Sequence, residues 1–298
     1  MRADHSADRS AEAVSAAAVR EEDESRLVSG PSAFGGELRR MVNLTVALSV
    51  MEYKTRYFGS ALGYLWQLIR PLMLFGVLYV VFTQLVKFNA GVKFFPAVLL
   101  TSIVLYTFFA DATATALTSV LDRENLVRKI QFPRMVIPLA AVGTSLFNLL
   151  TNLVAVGVFV VATGVRPTYL WLGFPLVVFV LAALAVGSSL LLSALYVRFR
   201  DLRPIWDVLL QALFYGSPVL YAIEVIPSQT ARQAIMCNPV ATLIQQSRHW
   251  LIDPSAPSAS SAIGGTGRLA IPIGIAMVVG VLGIWVFRRE APRIAEEL

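Results

Sequence analysis

Residues 135–197 read MVIPLAAVGTSLFNLLTNLVAVGVFVVATGVRPTYLWLGFPLVVFVLAALAVGSSLLLSALYV, and Arg166 is the single charged residue among them. A helix that crosses the hydrocarbon core of a membrane needs about 20 apolar residues, so this stretch is too long for one span. Gly164, Arg166 and Pro167 interrupt the run and predict a tight hairpin. The stretch therefore predicts two consecutive membrane-spanning helices.

The rest of the chain has the same character. Of its 298 residues, 56% are hydrophobic and 15% are charged, and the mean hydropathy is +0.67. Soluble domains carry about 25% charged residues, so an ordinary soluble enzyme is excluded. The charge-free runs predict an all-α integral membrane protein with six transmembrane helices. These spans are expected at about residues 64–86, 94–117, 135–163, 168–196, 205–223 and 269–287.

The basic residues predict the orientation of these spans. With the N-terminus inside, the inner segments hold 19 of the 25 Lys and Arg and the outer segments hold six. Cytoplasmic loops carry such an excess, so both termini are expected in the cytoplasm. Residues 1–36 are charged and lack an apolar core, which predicts a disordered tail. Residues 37–298 are expected to form one transmembrane domain.

Residues 37–57 precede the first span and have charges at both ends. Apolar residues recur there at steps of three and four, which is typical of an amphipathic helix. We expect this helix to lie in the inner membrane interface; a cytoplasmic helix of a small soluble cap is the alternative. The stripe consists of Leu38, Met41, Leu44, Leu48 and Met51.

The loop at residues 122–134 is cytoplasmic in this topology. Asp122 can cap a helix of about two turns, and Pro133 ends it. So short a helix is unstable alone in water. Because Leu126, Val127, Ile130 and Phe132 give it an apolar side among charges, it is predicted to dock onto a partner protein.

Three motifs together resemble one protein family. They are EYKTRYFGSALGYLW at residues 52–66, NLVRKIQFPR at 125–134 and RDLR at 200–203. In this order and spacing they look like the membrane subunits of ABC exporters for polysaccharides and polyol phosphates. Such exporters move lipid-linked O-antigens, teichoic acids or galactan across the bacterial inner membrane. The resemblance runs from about residue 37 to the C-terminus.

The resemblance implies a homodimer that pairs with two copies of a separate ATP-binding cassette subunit, which holds ATP and Mg²⁺. The chain itself supports this division, because none of its four lysines follows a glycine and a phosphate-binding GxxxxGK loop is therefore missing. The resemblance also assigns the coupling of ATP hydrolysis to transport to the loop after the second span. The matching residues are Arg123, Glu124, Asn125, Leu126, Arg128, Lys129, Phe132, Pro133 and Arg134.

Three further groups of candidate site residues follow. A second basic inner loop is expected to face the ATPase or the cytoplasmic gate, although anchoring of helix ends also explains it; its residues are Arg200, Asp201 and Arg203. A group of cations beside an aromatic residue of the membrane interface is expected to form the substrate-entry site, because it suits the phosphates of a polyprenyl-pyrophosphate-linked glycan at the inner leaflet. The alternative is that these cations only fix the topology. The residues are Lys54, Arg56, Trp66 and Arg70. Aromatic residues of the fifth span either pack or, as the resemblance implies, line a channel; they are Trp206, Phe214, Tyr215 and Tyr221.

The outer segment 222–268 predicts a helix broken at Asn238-Pro239, which the resemblance identifies as an extracytoplasmic gate. Asp111, inside the second span, needs a polar partner or water. Two His residues and one Cys predict no metal site.

The leading function is the permease of a lipid-linked polysaccharide exporter. The bias of 21 Arg against four Lys suits a GC-rich genome and makes a cell-wall galactan one possible cargo. An ABC efflux permease for a drug or lipid is the alternative. A polyprenyl-dependent membrane enzyme ranks last, because the outer loops offer only Glu224 and Asp253 as carboxylates.

Overall fold

The computed structural model describes residues 38–57, 63–85, 92–123 and 133–291. All the regular secondary structure in these ranges is helical, which confirms the predicted all-α class. The helices are α1 (Leu38–Tyr57), α2 (Gly63–Val80), α3 (Phe95–Asp122), α4 (Val136–Ala162), α5 (Phe174–Arg198), α6 (Leu202–Tyr215), α7 (Gln229–Met236), α8 (Pro239–Ser247), α9 (Ala259–Ile263) and α10 (Ala270–Glu290).

Five helical segments in the described ranges are long and apolar enough to cross a membrane. The protein is therefore a multi-pass membrane protein. Most side chains of α3 are buried, because α3 packs against both α4 and α5, and α10 covers α5 from another side. The five segments are Leu65–Leu85, Phe95–Asp122, Val136–Ala162, Tyr169–Arg198 and Thr266–Glu290.

Large apolar side chains remain exposed on the outer helices. Val77 on α2 is 63% exposed, and Val281 on α10 is 67% exposed. Water would disfavour such extended apolar faces, whereas lipid or a second copy of the chain accommodates them. These faces therefore agree with a position inside a bilayer.

The predicted fifth span differs from the structure. Instead of one helix over 205–223, α6 ends at Tyr215 after 14 residues, a rise of only about 21 Å at 1.5 Å per residue. The chain then turns at Gly216, and residues 217–220 are buried. Proline lacks an N–H group, so Pro218 cannot continue the hydrogen-bond ladder. Irregular backbone at membrane depth is tolerated where protein covers it, as here.

Helices α5 and α10 approach each other through glycines. A Cβ atom on Gly187 would lie 2.7 Å from the Cα of Gly280, and one on Gly283 would overlap the carbonyl oxygen of Gly187. Small residues permit this close backbone contact, which is common between transmembrane helices.

Helix α1 packs against α4 through its polar side chains. Ser49 donates a hydrogen bond of 3.2 Å to the carbonyl oxygen of Ala140, and the Tyr53 ring lies 5.7 Å from that of Phe147. Of the predicted apolar stripe, Met41 is buried, whereas Met51 is 65% exposed. The buried face of α1 is thus rotated from the predicted stripe, because Ser49 takes the central contact.

The segment after α6 is held by polar contacts. Asn238 separates α7 from α8 and caps α8 by accepting a hydrogen bond of 3.0 Å from the N–H of Val240. The side chain of Arg248, only 6% exposed, pairs with Glu224 at 2.7 Å. Because α8 contacts α3, α5 and α10, the broken helix reaches into the bundle.

Candidate functional site

A polar cavity of about 820 Å³ lies among α1, α2, α3 and α4. Helix α2 begins at this level, so its first two turns close one side and the middle turns of α3 and α4 close the other. The lining residues are Arg56, Trp66, Gln67, Arg70, Pro71, Val104, Thr107, Phe108, Asp111, Thr115, Ser145, Asn148, Leu149 and Asn152. Such a volume is typical of a site for a small molecule, for which the usual range is roughly 300–1,000 Å³.

The carboxyl group of Asp111 and the guanidinium groups of Arg70 and Arg56 line this cavity together. Asp111 forms no direct ion pair or hydrogen bond with any side chain in the described ranges. At 1.5 Å per residue, Asp111 lies about 16 Å along α3 from its end at Asp122. A carboxylate at this depth needs a polar environment, which the cavity supplies.

Gln67 adds an amide without a partner. Its Oε1 and Nε2 atoms are both buried, and neither has a hydrogen-bond partner among the described residues. Buried amide groups are almost always hydrogen-bonded, so an orphaned one requires a specific explanation. A polar molecule in the cavity would satisfy it.

Three of the four residues predicted for substrate access line this cavity. They are Arg56, Trp66 and Arg70, whereas Lys54 is exposed on α1 and lies outside the lining. The structure thus brings together one residue of α1 and two of α2, although the five residues that join these helices are not described.

Sequence reasoning missed most of the polar wall. Asp111 was noted, but its neighbours on the same face of α3 were not, namely Thr107 and Thr115. Their spacing of four residues is that of one helix face. The same signal marks a polar line on α4 that consists of Ser145, Asn148 and Asn152.

The predicted coupling loop is anchored at both ends. Arg123 Nη2 lies 2.5 Å from Glu52 Oε1 on α1, and Thr144 of α4 donates a hydrogen bond of 3.4 Å to the same carboxylate. At the other end, Arg134 donates a hydrogen bond to the carbonyl oxygen of Ala291. Burial lowers the pKa of the Arg134 guanidinium, which still stays charged because arginine is not deprotonated in proteins.

The middle of this loop, residues 124–132, lies outside the described ranges. Pro133, close to its end, is buried. The predicted coupling residues affected are Glu124, Asn125, Leu126, Arg128, Lys129 and Phe132.

The second inner loop is exposed. Arg200, Asp201 and Arg203 all face solvent at the junction of α5 and α6.

The aromatic residues of the fifth predicted span separate into two groups. Trp206 donates a hydrogen bond of 3.1 Å to Thr113 of α3, and the Phe214 ring meets Tyr106 of α3 edge-on at 5.1 Å. Tyr215 is 59% exposed, and the Tyr221 hydroxyl donates to its carbonyl oxygen at 3.3 Å. Packing against α3 therefore occupies Trp206 and Phe214, and leaves Tyr215 as the exposed aromatic side chain of this group.

The described residues contain no group of three or more His, Cys, Asp or Glu side chains that could hold a metal ion.

Several apolar spans around a polar intramembrane cavity define a membrane transport protein. The chain belongs to the ABC-2 type transporter family, whose pattern it matches over residues 43–251. It is therefore the membrane-spanning part of a transporter.

Curated relatives extend this comparison. The chain is 31% identical over 209 residues to the O-antigen export system permease protein RfbA of Myxococcus xanthus, an alignment that covers 70% of this chain and 80% of that protein. It is 27% identical over 259 residues to the O-antigen export system permease protein RfbA of Klebsiella pneumoniae, which covers 87% and 96% of the two chains. A second Klebsiella pneumoniae protein of the same name is 29% identical over 205 residues, or 68% and 78% of the two chains.

Proposed function

We propose that the protein is the permease subunit of an ATP-driven exporter that moves a lipid-linked polysaccharide across the bacterial inner membrane. The family and the names of its relatives support transport of this class of cargo. The observation that carries the proposal is the cavity with Arg56 and Arg70 on one side and a polar wall on the other. Cell-wall galactan, O-antigen and teichoic acid are the candidate polymers.

The two arginines suit the head group of a polyprenyl-pyrophosphate-linked glycan. Its phosphates need cations at the depth of the lipid head groups, where each nearby cation contributes about 1 kcal/mol of attraction. Trp66 is 62% exposed beside them and provides an aromatic face for the lipid interface or a sugar ring. Lys54 lies exposed on α1, the helix that also carries Arg56, and would attract the head group before it reaches the cavity.

We also propose that residues 123–134 couple the permease to an ATP-binding cassette subunit, present in two copies with ATP and Mg²⁺. The contacts at both ends of this segment support the idea, because Arg123 is tied to α1 and Arg134 to the end of α10. A force applied to the loop would reach both helices. The loop with Arg200, Asp201 and Arg203 would contribute a second surface.

A six-pass homodimer with both termini in the cytoplasm completes the proposal. Helix α6 together with residues 216–223, most of which are buried, would form the short fifth pass, and the broken α7–α8 segment the extracytoplasmic gate. Symmetric pairs are the commonest assemblies, and the exposed apolar faces of α2 and α6 suit a dimer. Tyr215 and Tyr221 would then face the channel between the two copies.

Depletion of the protein in its native host tests the cargo. An export permease predicts loss of the surface polysaccharide and accumulation of its lipid-linked form inside the cell. A drug or lipid efflux permease predicts neither, and a polyprenyl-dependent enzyme predicts less of the lipid-linked form rather than more.

Variants then test the site. Arg56→Gln combined with Arg70→Gln should reproduce the depletion phenotype, while the protein still inserts and co-purifies with its ATPase. The matched control replaces Arg39 and Arg40, which are exposed at the start of α1, by Gln, and export should continue. Equal export by both double variants would leave Arg56 and Arg70 as anchors of topology.

A further inference from the structure

The phosphate contacts proposed above leave one side of the cavity unexplained. An ionised carboxyl group repels a pyrophosphate, and the two arginines already supply the cations that the phosphates need, so Asp111 has no part in holding them. It forms no direct ion pair with Arg70 or Arg56. The carboxylate oxygens therefore remain available to accept hydrogen bonds from a neutral donor.

The amide of Gln67 can pair with a group that both donates and accepts hydrogen bonds. Its buried amide oxygen needs a donor, its buried amide nitrogen needs an acceptor, and the described part of the chain supplies neither. A sugar hydroxyl can act as donor and acceptor at once. A lipid tail can do neither, and a phosphate oxygen accepts without satisfying the amide oxygen.

The arrangement of the walls also suits a sugar ring. Asp111 on α3 and Asn152 on α4 line the same cavity as Gln67, and Trp66 lies at its rim. Carboxylate and amide side chains around a sugar, with an aromatic face beside it, match the hydroxyls on the edge of the ring and the apolar C–H groups on its faces. The volume of about 820 Å³ is that of a small-molecule site and admits one or two rings, not a folded polymer.

We propose that this cavity binds the sugar attached directly to the pyrophosphate of the lipid-linked glycan, with Asp111 and Gln67 hydrogen-bonded to its hydroxyls. The proposal rests on the proposed export function and adds to it a contact that recognises the sugar. Arg56 and Arg70 hold the phosphates at one side of the cavity, and Asp111 contacts the sugar at the other. The permease thereby selects its cargo by the first sugar as well as by the lipid.

Binding measurements on the full-length chain in lipid nanodiscs test the proposal. The probes are farnesyl pyrophosphate and three derivatives in which the pyrophosphate carries glucose, galactose or N-acetylglucosamine. At least one glycosylated probe should bind about tenfold more tightly than farnesyl pyrophosphate, because two hydrogen bonds together contribute about that factor. Asp111→Asn should remove most of this gain without weakening the binding of farnesyl pyrophosphate.

Asp122→Asn is the matched control, because Asp122 is exposed on the same helix, and it should behave like the wild type. Gln67→Met provides a second variant with a separate readout. It should lower the affinity for the preferred glycosylated probe and also raise the thermal midpoint of the protein without ligand, because it removes a buried amide that has no partner among the described residues.

The outcomes separate the two proposals. If farnesyl pyrophosphate binds and no sugar improves its affinity, the sugar contact is wrong and the pyrophosphate site stands. If Asp111→Asn and Asp122→Asn lose the sugar-dependent gain equally, the assignment to Asp111 is wrong. If none of the four probes binds the wild-type protein, the proposed access site fails and the sugar contact fails with it.

Discussion

The ion pair between Glu224 and Arg248 should stabilise the segment that follows α6. Arg248 is 5% exposed, its Nη1 lies 2.7 Å from Glu224 Oε2, and its Nε has no hydrogen-bond partner among the described residues. Replacing Glu224 by Leu leaves a buried guanidinium without its counter-ion. Loss of one partner of a fully buried pair costs about 3–5 kcal/mol.

The expected loss lies below that range. The Glu224 side chain is 36% exposed, so water compensates part of the missing charge, and we expect about 2–3 kcal/mol. In a protein of this size the loss corresponds to a fall of about 3–5 °C in the thermal midpoint. The assay is unfolding of the purified protein in detergent at one fixed heating rate, because large proteins often unfold irreversibly.

The control and a double variant give this prediction its test. Arg166→Met removes an exposed arginine from the turn between α4 and α5 and should leave the midpoint unchanged. Glu224→Leu combined with Arg248→Met should be more stable than Glu224→Leu alone, since an apolar pair leaves no buried charge. An unchanged midpoint for Glu224→Leu, or additive losses in the double variant, would refute the reasoning.

Two further predictions concern helix contacts. Gly283→Val should lower the yield and thermal midpoint of the inserted protein, because its Cβ would overlap the backbone of Gly187. Gly274→Val on the same helix is the control and should be tolerated, because a Cβ there meets no atom within 4 Å. Equal loss in both variants would contradict the contact. Glu52→Arg should uncouple ATP hydrolysis from export, because it breaks the pair with Arg123. The double exchange Glu52→Arg with Arg123→Glu should restore part of the coupling, measured in proteoliposomes. No recovery would count against a role of the pair.

The helical membrane class was predictable because long charge-free runs have few other solutions in a chain of this length. The end of α6 was harder to predict from Gly216 and Pro218, since glycine and proline also occur inside kinked transmembrane helices. Only the structure shows that residues 217–220 are buried and that Ser217 accepts a hydrogen bond of 3.0 Å from Asn238. That contact joins parts of the chain that lie far apart in sequence.

The cavity was predictable in part. Arg56, Trp66 and Arg70 stand close together in the sequence and share an interfacial composition, so local reasoning grouped them. Gln67 and Asn152 belong to different helices, and nothing local brings them together. The polar spacing on α3 and α4 could have indicated which faces meet, but not that α2 would complete the wall.

The short α6 has a consequence for the surrounding lipid. Its 14 residues rise about 21 Å, roughly 9 Å less than the hydrocarbon core of a typical bilayer. Exposed apolar side chains on this helix, such as Val208, still require contact with lipid or a second chain. In the proposed six-pass arrangement, the bilayer would thin, or water would descend to the level of Gly216, wherever lipid reaches past the end of α6. Either adjustment would shorten the insulating layer at that point, so a hydrated polymer that crosses there would pass through less hydrocarbon than elsewhere in the membrane.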